Sequence, residues 1–223
     1  MTAEREGEAT AALRSGPPYP IRFSVVYPGA MSRRKGVKRA LGALLTWAVP
    51  AGLGYASAVF YLGLWTILAS LIAFGVIMVP LVLSQRLRVK GLQRFQAEDG
   101  AALERFARRA MAMASYALFL TDAPPSEAID RSVRMDVSRG GSIRWPPAAV
   151  RSVLLVPHII PLAFFAFAFM LVVPACAIVV VGFGRYPRPF FGFTVGYLRW
   201  IARALGYWLL LTDRYPPFSF DEA

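Results

Sequence analysis

SVLLVPHIIPLAFFAFAFMLVVPACAIVVVGFG, residues Ser152 to Gly184, runs for 33 residues without one Asp, Glu, Lys or Arg. The chain has one other such stretch, Ala40 to Gln85, 46 residues long. Hydrocarbon rejects charge and unpaired backbone alike, so long charge-free runs read as membrane-spanning helices. A span needs about 20 apolar residues for a core about 30 Å thick. As a single helix the first block would be about 69 Å long, so it must turn back and is read as two spans. The second would be about 50 Å long. It is read as two short helices, with Arg151 and Arg185 reaching outward from their ends. One tilted or kinked span is the alternative.

Sidedness supports the paired reading. The 25 Lys and Arg fall before, between and after the two blocks. If each block is a hairpin, all three basic segments lie on one side of the membrane, and basic loops stay cytoplasmic. A lone span in the second block would export Arg185, Arg188, Arg199, Arg203 and Arg214. The expected location is therefore a bacterial inner (plasma) membrane, multi-pass, with both termini cytoplasmic.

Composition agrees. The chain is 57% hydrophobic with a mean hydropathy of +0.49, too apolar for an ordinary soluble domain. The net charge of +12 sits in clusters beside the blocks, as in Arg33-Arg34-Lys35 and Lys38-Arg39. That placement points to membrane lipids with anionic headgroups as partners rather than nucleic acid. A lone Cys176 forms no intrachain disulfide, and no set of metal ligands accompanies it. No cofactor is expected.

Further order comes from repetition. Tyr116-Ala-Leu-Phe-Leu-Thr121-Asp122 returns as Tyr207-Trp-Leu-Leu-Leu-Thr212-Asp213, 91 residues on. Ile21-Arg22-Phe23-Ser24-Val25 resembles Val133-Arg134-Met135-Asp136-Val137, 112 residues on, and both alternate like short strands. The two strands are natural partners, since a lone strand leaves its ladder groups unpaired. The expected fold is an all-α integral membrane protein of two tandem helical-hairpin repeats, four transmembrane helices in all. Interfacial amphipathic helices and short cytoplasmic β-strands complete it.

The expected divisions are as follows. Residues 1–18 form a disordered tail. Repeat 1 covers 19–126, with a hairpin at about 40–85 turning near Gly63 and an interfacial helix at about 101–120. Repeat 2 covers 127–219, with a hairpin at about 148–184 and an interfacial helix at about 193–211. Residues 220–223 are a short tail. On the last helix Arg199, Arg203 and Gly206 share a narrow stripe, with Ile201, Leu205 and Trp208 opposite. Trp200, Tyr207 and Trp208 read as interfacial anchors.

Tyr19-Pro20-Ile21-Arg22-Phe23 with Tyr27-Pro28, Gly184-Arg185-Tyr186-Pro187-Arg188, and Thr212-Asp213-Arg214-Tyr215-Pro216-Pro217-Phe218 resemble the opening, middle and end of a bacterial membrane family catalogued as domain of unknown function 4389. The first half departs from this pattern. It has no Gly-Arg-Tyr-Pro after Leu83, and Thr121-Asp122 is followed by Ala-Pro-Pro. The resemblance implies no activity, cofactor or catalytic residue.

Few residues suggest chemistry. His158 is the one titratable group in a hydrophobic block, and intramembrane ionisable residues are functional candidates. Its plain reading is a neutral imidazole bonded to a carbonyl freed by Pro157 or Pro161. Thr121, Asp122, Thr212 and Asp213 read as one structural motif used twice, bonding loop backbone at a helix exit, with Asp213 also pairing Arg214 or Arg185. Arg185, Tyr186, Arg188, Arg199 and Arg203 are candidate lipid-headgroup contacts. No catalytic or metal site is assigned. The expected function is a non-enzymatic scaffold or accessory subunit of an envelope complex, with an unidentified membrane protein as partner. A transporter or lipid-handling component is the alternative, and a lipid-headgroup enzyme using Asp213 and His158 stands third.

Overall fold

The computed structural model describes residues 19–52, 55–129, 131–138, 143 and 150–221; the side chains of 43–62, 65, 68–69, 72 and 170–171 lie outside the description. The expected tail at 1–18 falls outside it too. In chain order the elements are β1 (Ile21–Val25), α1 (Arg33–Gly52), α2 (Tyr55–Lys90), α3 (Leu92–Phe95), a π-helical turn (Gln96–Gly100), α4 (Ala101–Ala117), α5 (Pro125–Ala128), β2 (Val133–Val137), α6 (Arg151–Phe183) and α7 (Arg188–Trp208). The described residues are mostly helical, with one two-stranded sheet.

The two strands pair antiparallel, Ile21 with Val137, Phe23 with Met135 and Val25 with Val133. Their alternation places Ile21, Phe23, Val25, Val133 and Met135 on the buried face, while Arg22, Ser24, Arg134 and Asp136 face out. The register is centred on Phe23 and Met135, residues 112 apart. Strands related by that spacing thus meet each other about a local two-fold axis normal to the sheet.

The second block is one helix, which corrects the expected hairpin at 148–184. A hairpin needs a turn, and the only glycines of the block, Gly182 and Gly184, stand at its end. Gly184 adopts φ 67° and its N–H bonds back to Val180 O, closing the helix there. Pro157, Pro161 and Pro174 lie inside α6 without ending it. Tyr215 and Tyr197 hydroxyls donate to the carbonyls of Leu154 and Leu162 in this proline-bearing part, the kind of outside bonding that lets a helix tolerate proline.

The true return partner of α6 is α7. Trp200 meets His158, Tyr197 meets Leu162 and Phe193 stacks on Phe169 at a centroid distance of 5.5 Å, so α7 runs antiparallel along α6. In the first block Gly63 lies within α2, so the expected turn there is not formed; residues 53 and 54 lie outside the description. Among the described residues one helix, over Arg151–Phe169, is long and apolar enough to cross a membrane.

The body is layered. α7 packs against β1 on one side and α6 on the other, and α4 packs against α7 and β2. The stripe of Arg199, Arg203 and Gly206 faces inward, not toward headgroups. Arg199 Nε donates to Phe23 O at 3.1 Å, and a Cβ on Gly206 would lie 1.9 Å from Ile21 Cδ1. The half-buried residues Ile201, Leu205 and Trp208 take the other side. The polarity of this amphipathic helix is therefore inverted relative to an interfacial one, because the β-sheet and the C-terminal segment supply the carbonyls its arginines need.

Candidate functional site

The helices α4 and α7 end in the same way. At α4, Phe119 N–H bonds to Tyr116 O at 3.2 Å and Leu120 N–H to Ser115 O at 2.9 Å; at α7, Leu210 N–H bonds to Tyr207 O at 3.2 Å and Leu211 N–H to Gly206 O at 2.9 Å. This is the two-bond helix stop that calls for a left-handed residue just past the end. Here that residue is Phe119 at φ 61° and Leu210 at φ 58°. A bulky side chain in this region costs about 1–3 kcal/mol, and both side chains are buried, Phe119 at 4% exposure and Leu210 at 1%. Their burial offsets the backbone cost.

Each stop is clamped by one arginine. Arg39 Nη1 donates to Tyr116 O at 2.9 Å and Thr121 O at 3.1 Å, and Nη2 donates to the Asp122 carboxylate. Arg151 Nη1 donates to Tyr207 O at 2.8 Å and Thr212 O at 2.5 Å, and Nη2 donates to the Asp213 carboxylate. Each guanidinium also stands 4.4 Å from a ring centroid, that of Tyr116 or Tyr207. Thr121 Oγ1 accepts the Ala123 N–H and Thr212 Oγ1 the Arg214 N–H, both at 3.2 Å. Asp122 also accepts the Ser32 N–H, tying the start of α1 to this corner.

Thr121, Asp122, Thr212 and Asp213 thus stand at helix exits, each aspartate bound to an arginine. Asp213 pairs Arg151 instead of Arg214 or Arg185. The sequence reading places Arg39 in a basic cluster beside the first block and has Arg151 reaching outward from the second; Arg151 is instead fully buried, and the two clamps stand 112 apart, the spacing of the two strands. That shared offset was the signal that could have found them.

The five candidate headgroup contacts divide. Arg185 and Arg188 are exposed. Tyr186 is 1% exposed, its hydroxyl beside Thr194 Oγ1 at 3.3 Å, and burial raises its phenol well above the ordinary value. Arg199 and Arg203 are buried; besides its bond to Phe23, Arg199 donates to Phe220 O at 2.6 Å, and Arg203 donates to Ser219 O at 3.2 Å and Asp221 O at 2.5 Å. Burial lowers Arg203, with Arg199 adding repulsion, yet arginine starts so far above neutrality that the group stays charged. Tyr186, Arg199 and Arg203 are therefore not placed as headgroup contacts, because all three are buried and bonded to other parts of the chain. Residues 220 and 221, part of the short tail expected at 220–223, are held by these arginines.

His158 sits in an aromatic cage at 1% exposure. Trp200 Nε1–H donates to its Nδ1 at 2.9 Å, Phe218 stacks on it with centroids 3.9 Å apart, and Tyr215 stands at 4.9 Å. An Nδ1 that accepts is unprotonated, so the ring proton of the neutral imidazole lies on Nε2. The expected bond to a proline-freed carbonyl is replaced by the indole. Asp213 and His158 bind different partners and form no dyad. Among the described residues no group of three His, Cys, Asp or Glu side chains could hold a metal ion.

No curated protein and no solved structure matches the chain. Residues 146–219, from just before α6 to just past the second corner, match the family described as "Domain of unknown function (DUF4389)", the same family that the motifs of the sequence resemble.

Proposed function

We propose that this protein is a small, non-enzymatic, multi-pass protein of a bacterial inner membrane, both termini cytoplasmic, which scaffolds or assists an envelope complex. One observation carries the reading: polar groups inside the body bind the chain's own backbone, while the outward faces of the long helices are apolar. Arg39, Arg151, Arg199 and Arg203 all hold main-chain carbonyls. On α2, Leu64, Ile67, Leu71, Phe74 and Ile77 stand between 40% and 64% exposed, a stripe at helical spacing that needs either lipid or another helix. In this reading α1 and α2 cross and return as a pair.

Two tandem copies of one unit, each a strand, a long helical segment, a second helix and an arginine-clamped Thr-Asp corner, account for the matched corners and the symmetric strand pairing. The partners are anionic membrane lipids and an unidentified membrane protein. Affinity purification of the tagged full chain from native membranes tests the function. A single stoichiometric protein partner supports the scaffold; recovery of the chain with lipid and no protein refutes it.

A further inference from the structure

We infer that α6 lies flat in the membrane interface, its apolar outer face sunk into one leaflet, and does not cross the bilayer. The occupant of that face is the lipid of the leaflet, with anionic headgroups gathered at its C-terminal end. The inference rests on the membrane reading above and names the surface that reading leaves open.

Geometry sets the orientation. The start of α6 is fixed to the second corner, through Arg151 to Tyr207, Thr212 and Asp213. Its end is fixed to the start of α1, where Met31 N–H bonds Gly184 O at 2.8 Å and Gly36 packs on Val180 and Val181. That start is itself bonded to the first corner through Ser32 and Asp122. The two corners close α4 and α7, which pack on the paired strands β2 and β1 respectively. A helix joining them runs parallel to the sheet. Layer packing says the same: α7 lies on the sheet, and α6 runs antiparallel along α7.

Surface chemistry then places the membrane. The sheet turns Arg22, Ser24, Arg134 and Asp136 to one side of the body. α6 turns Val153, Ile160, Phe164, Phe167, Ile178 and Phe183 to the other, each between 69% and 73% exposed. Exposed apolar side chains recur from Val153 to Phe183, and the helix is 33 residues long, about 50 Å. To fit an upright core of about 30 Å, such a helix would have to tilt by about 53°, beyond the observed range of about 0–40°. Lying flat, it buries its whole face about 5–10 Å into the headgroup and acyl boundary. At its C-terminal end exposed Arg33, Arg34, Lys38, Arg185 and Arg188 gather, although the two segments are 150 residues apart in sequence. This also removes the sidedness conflict of a lone span: Arg185 and Arg188 stay with the other basic segments.

Depth measurement tests the inference. Full-length protein carrying Cys176→Ala takes a nitroxide at Val156→Cys, Phe164→Cys or Ile178→Cys, all exposed positions. It is reconstituted in vesicles of phosphatidylglycerol and phosphatidylcholine, and relaxation by oxygen and by a water-soluble nickel chelate gives each label's depth. Equal shallow depths of about 5–10 Å at all three sites are expected. A profile deepest at Phe164, near about 15 Å, overturns the flat helix while leaving membrane residence intact. Full exposure to the nickel chelate at all three sites overturns both. As a second measure, Val150→Cys and Arg185→Cys, exposed positions at the two ends of α6, each in the Cys176→Ala background in oriented vesicles, should react with an impermeant maleimide from the same side; reaction from opposite sides refutes the inference.

Discussion

Replacing Arg151 with Met should be among the most damaging single changes in the chain. Arg151 is fully buried and holds two carbonyls and one carboxylate. Removing one partner of a buried ion pair costs about 3–5 kcal/mol, and a hydrogen bond to a charged group is worth about 1.5–3 kcal/mol. Asp213 is 35% exposed, so water takes up part of its charge once Arg151 is gone, and the lower half of the range applies. A loss of about 3–4 kcal/mol is expected, or about 6–16 °C in melting temperature at about 2–4 °C per kcal/mol for a chain of this size. Asp213→Asn keeps both carbonyl bonds and should cost only about 1–2 kcal/mol. Arg151→Lys should fall between them, because an ammonium cannot chelate two carbonyls and a carboxylate in one plane. At the first corner, Arg39 and Asp122 are 11% and 21% exposed, so Arg39→Met should cost less than Arg151→Met. The assay is thermal unfolding of detergent-solubilised full chain, followed by loss of the monodisperse peak. A change within about 0.5 kcal/mol for Arg151→Met, or an Asp213→Asn loss as large as that of Arg151→Met, would refute the clamp.

Gly206→Ala drives a methyl into Ile21, so overpacking of about 1–3 kcal/mol should outweigh a helix-propensity gain of about 1 kcal/mol; adding Ile21→Val, which removes the obstructing Cδ1, should recover part of the loss in the same melting assay. His158→Phe keeps the stack on Phe218 but leaves the Trp200 N–H without an acceptor, costing about 1–3 kcal/mol, and adding Trp200→Phe should bring no further loss of that size. At the joint after α2, Lys90 followed by Arg86 holds the Asp99 carboxyl below the ordinary carboxylate range. A lowered carboxyl contributes stability above its unfolded value and loses it as pH falls through the folded one. Hydrogen exchange at residues 91–100, corrected for intrinsic rates, should therefore be constant from pH 7 to 5 and rise below about pH 4, and Asp99→Asn should show the faster exchange already at pH 7.

Period and repetition made the strands legible. Ile21–Val25 and Val133–Val137 alternate, repeat each other and pair. The corners were legible as sequence, Leu-Thr-Asp twice, but their clamps were not, because a lone arginine at a block edge reads as a headgroup anchor. Arg39 and Arg151 look like any snorkelling cation until a carbonyl-rich helix end is folded against them. The same blindness inverted α7. A stripe of Arg199, Arg203 and Gly206 signals a wet face only if water is the sole available acceptor. Here Phe23, Ser219, Phe220 and Asp221 supply carbonyls, and Gly206 admits Ile21. The single helix α6 differs from the paired reading for a related reason: block length and the placement of basic residues favour a hairpin, whereas the block has no internal turn, a left-handed glycine ends the helix and tyrosine hydroxyls support the segment that holds two of its prolines.

The length difference between the two halves follows from the same geometry. Between the strand spacing of 112 and the corner spacing of 91, the first half gains 21 residues, and the helices α1 and α2 together occupy the place that α6 occupies alone. Both routes share their fixed points. α1 starts at the first corner through Ser32 and Asp122, and Val76 of α2 meets Ser152 and Trp208 beside the second. α6 starts at the second corner and ends at the foot of α1. Two chains that join the same two points in opposite senses need the same length if both lie flat. From Ser32 to Val76 the first route takes 44 residues and from Ser152 to Gly184 the second takes 32, so 12 of the 21 extra residues, about 18 Å of helix, lie between those points. In the proposed membrane reading this excess leaves the body and returns as a charge-free pair of helices, and under that proposal the insertion, more than the apolar content of α6, is where the bilayer is crossed.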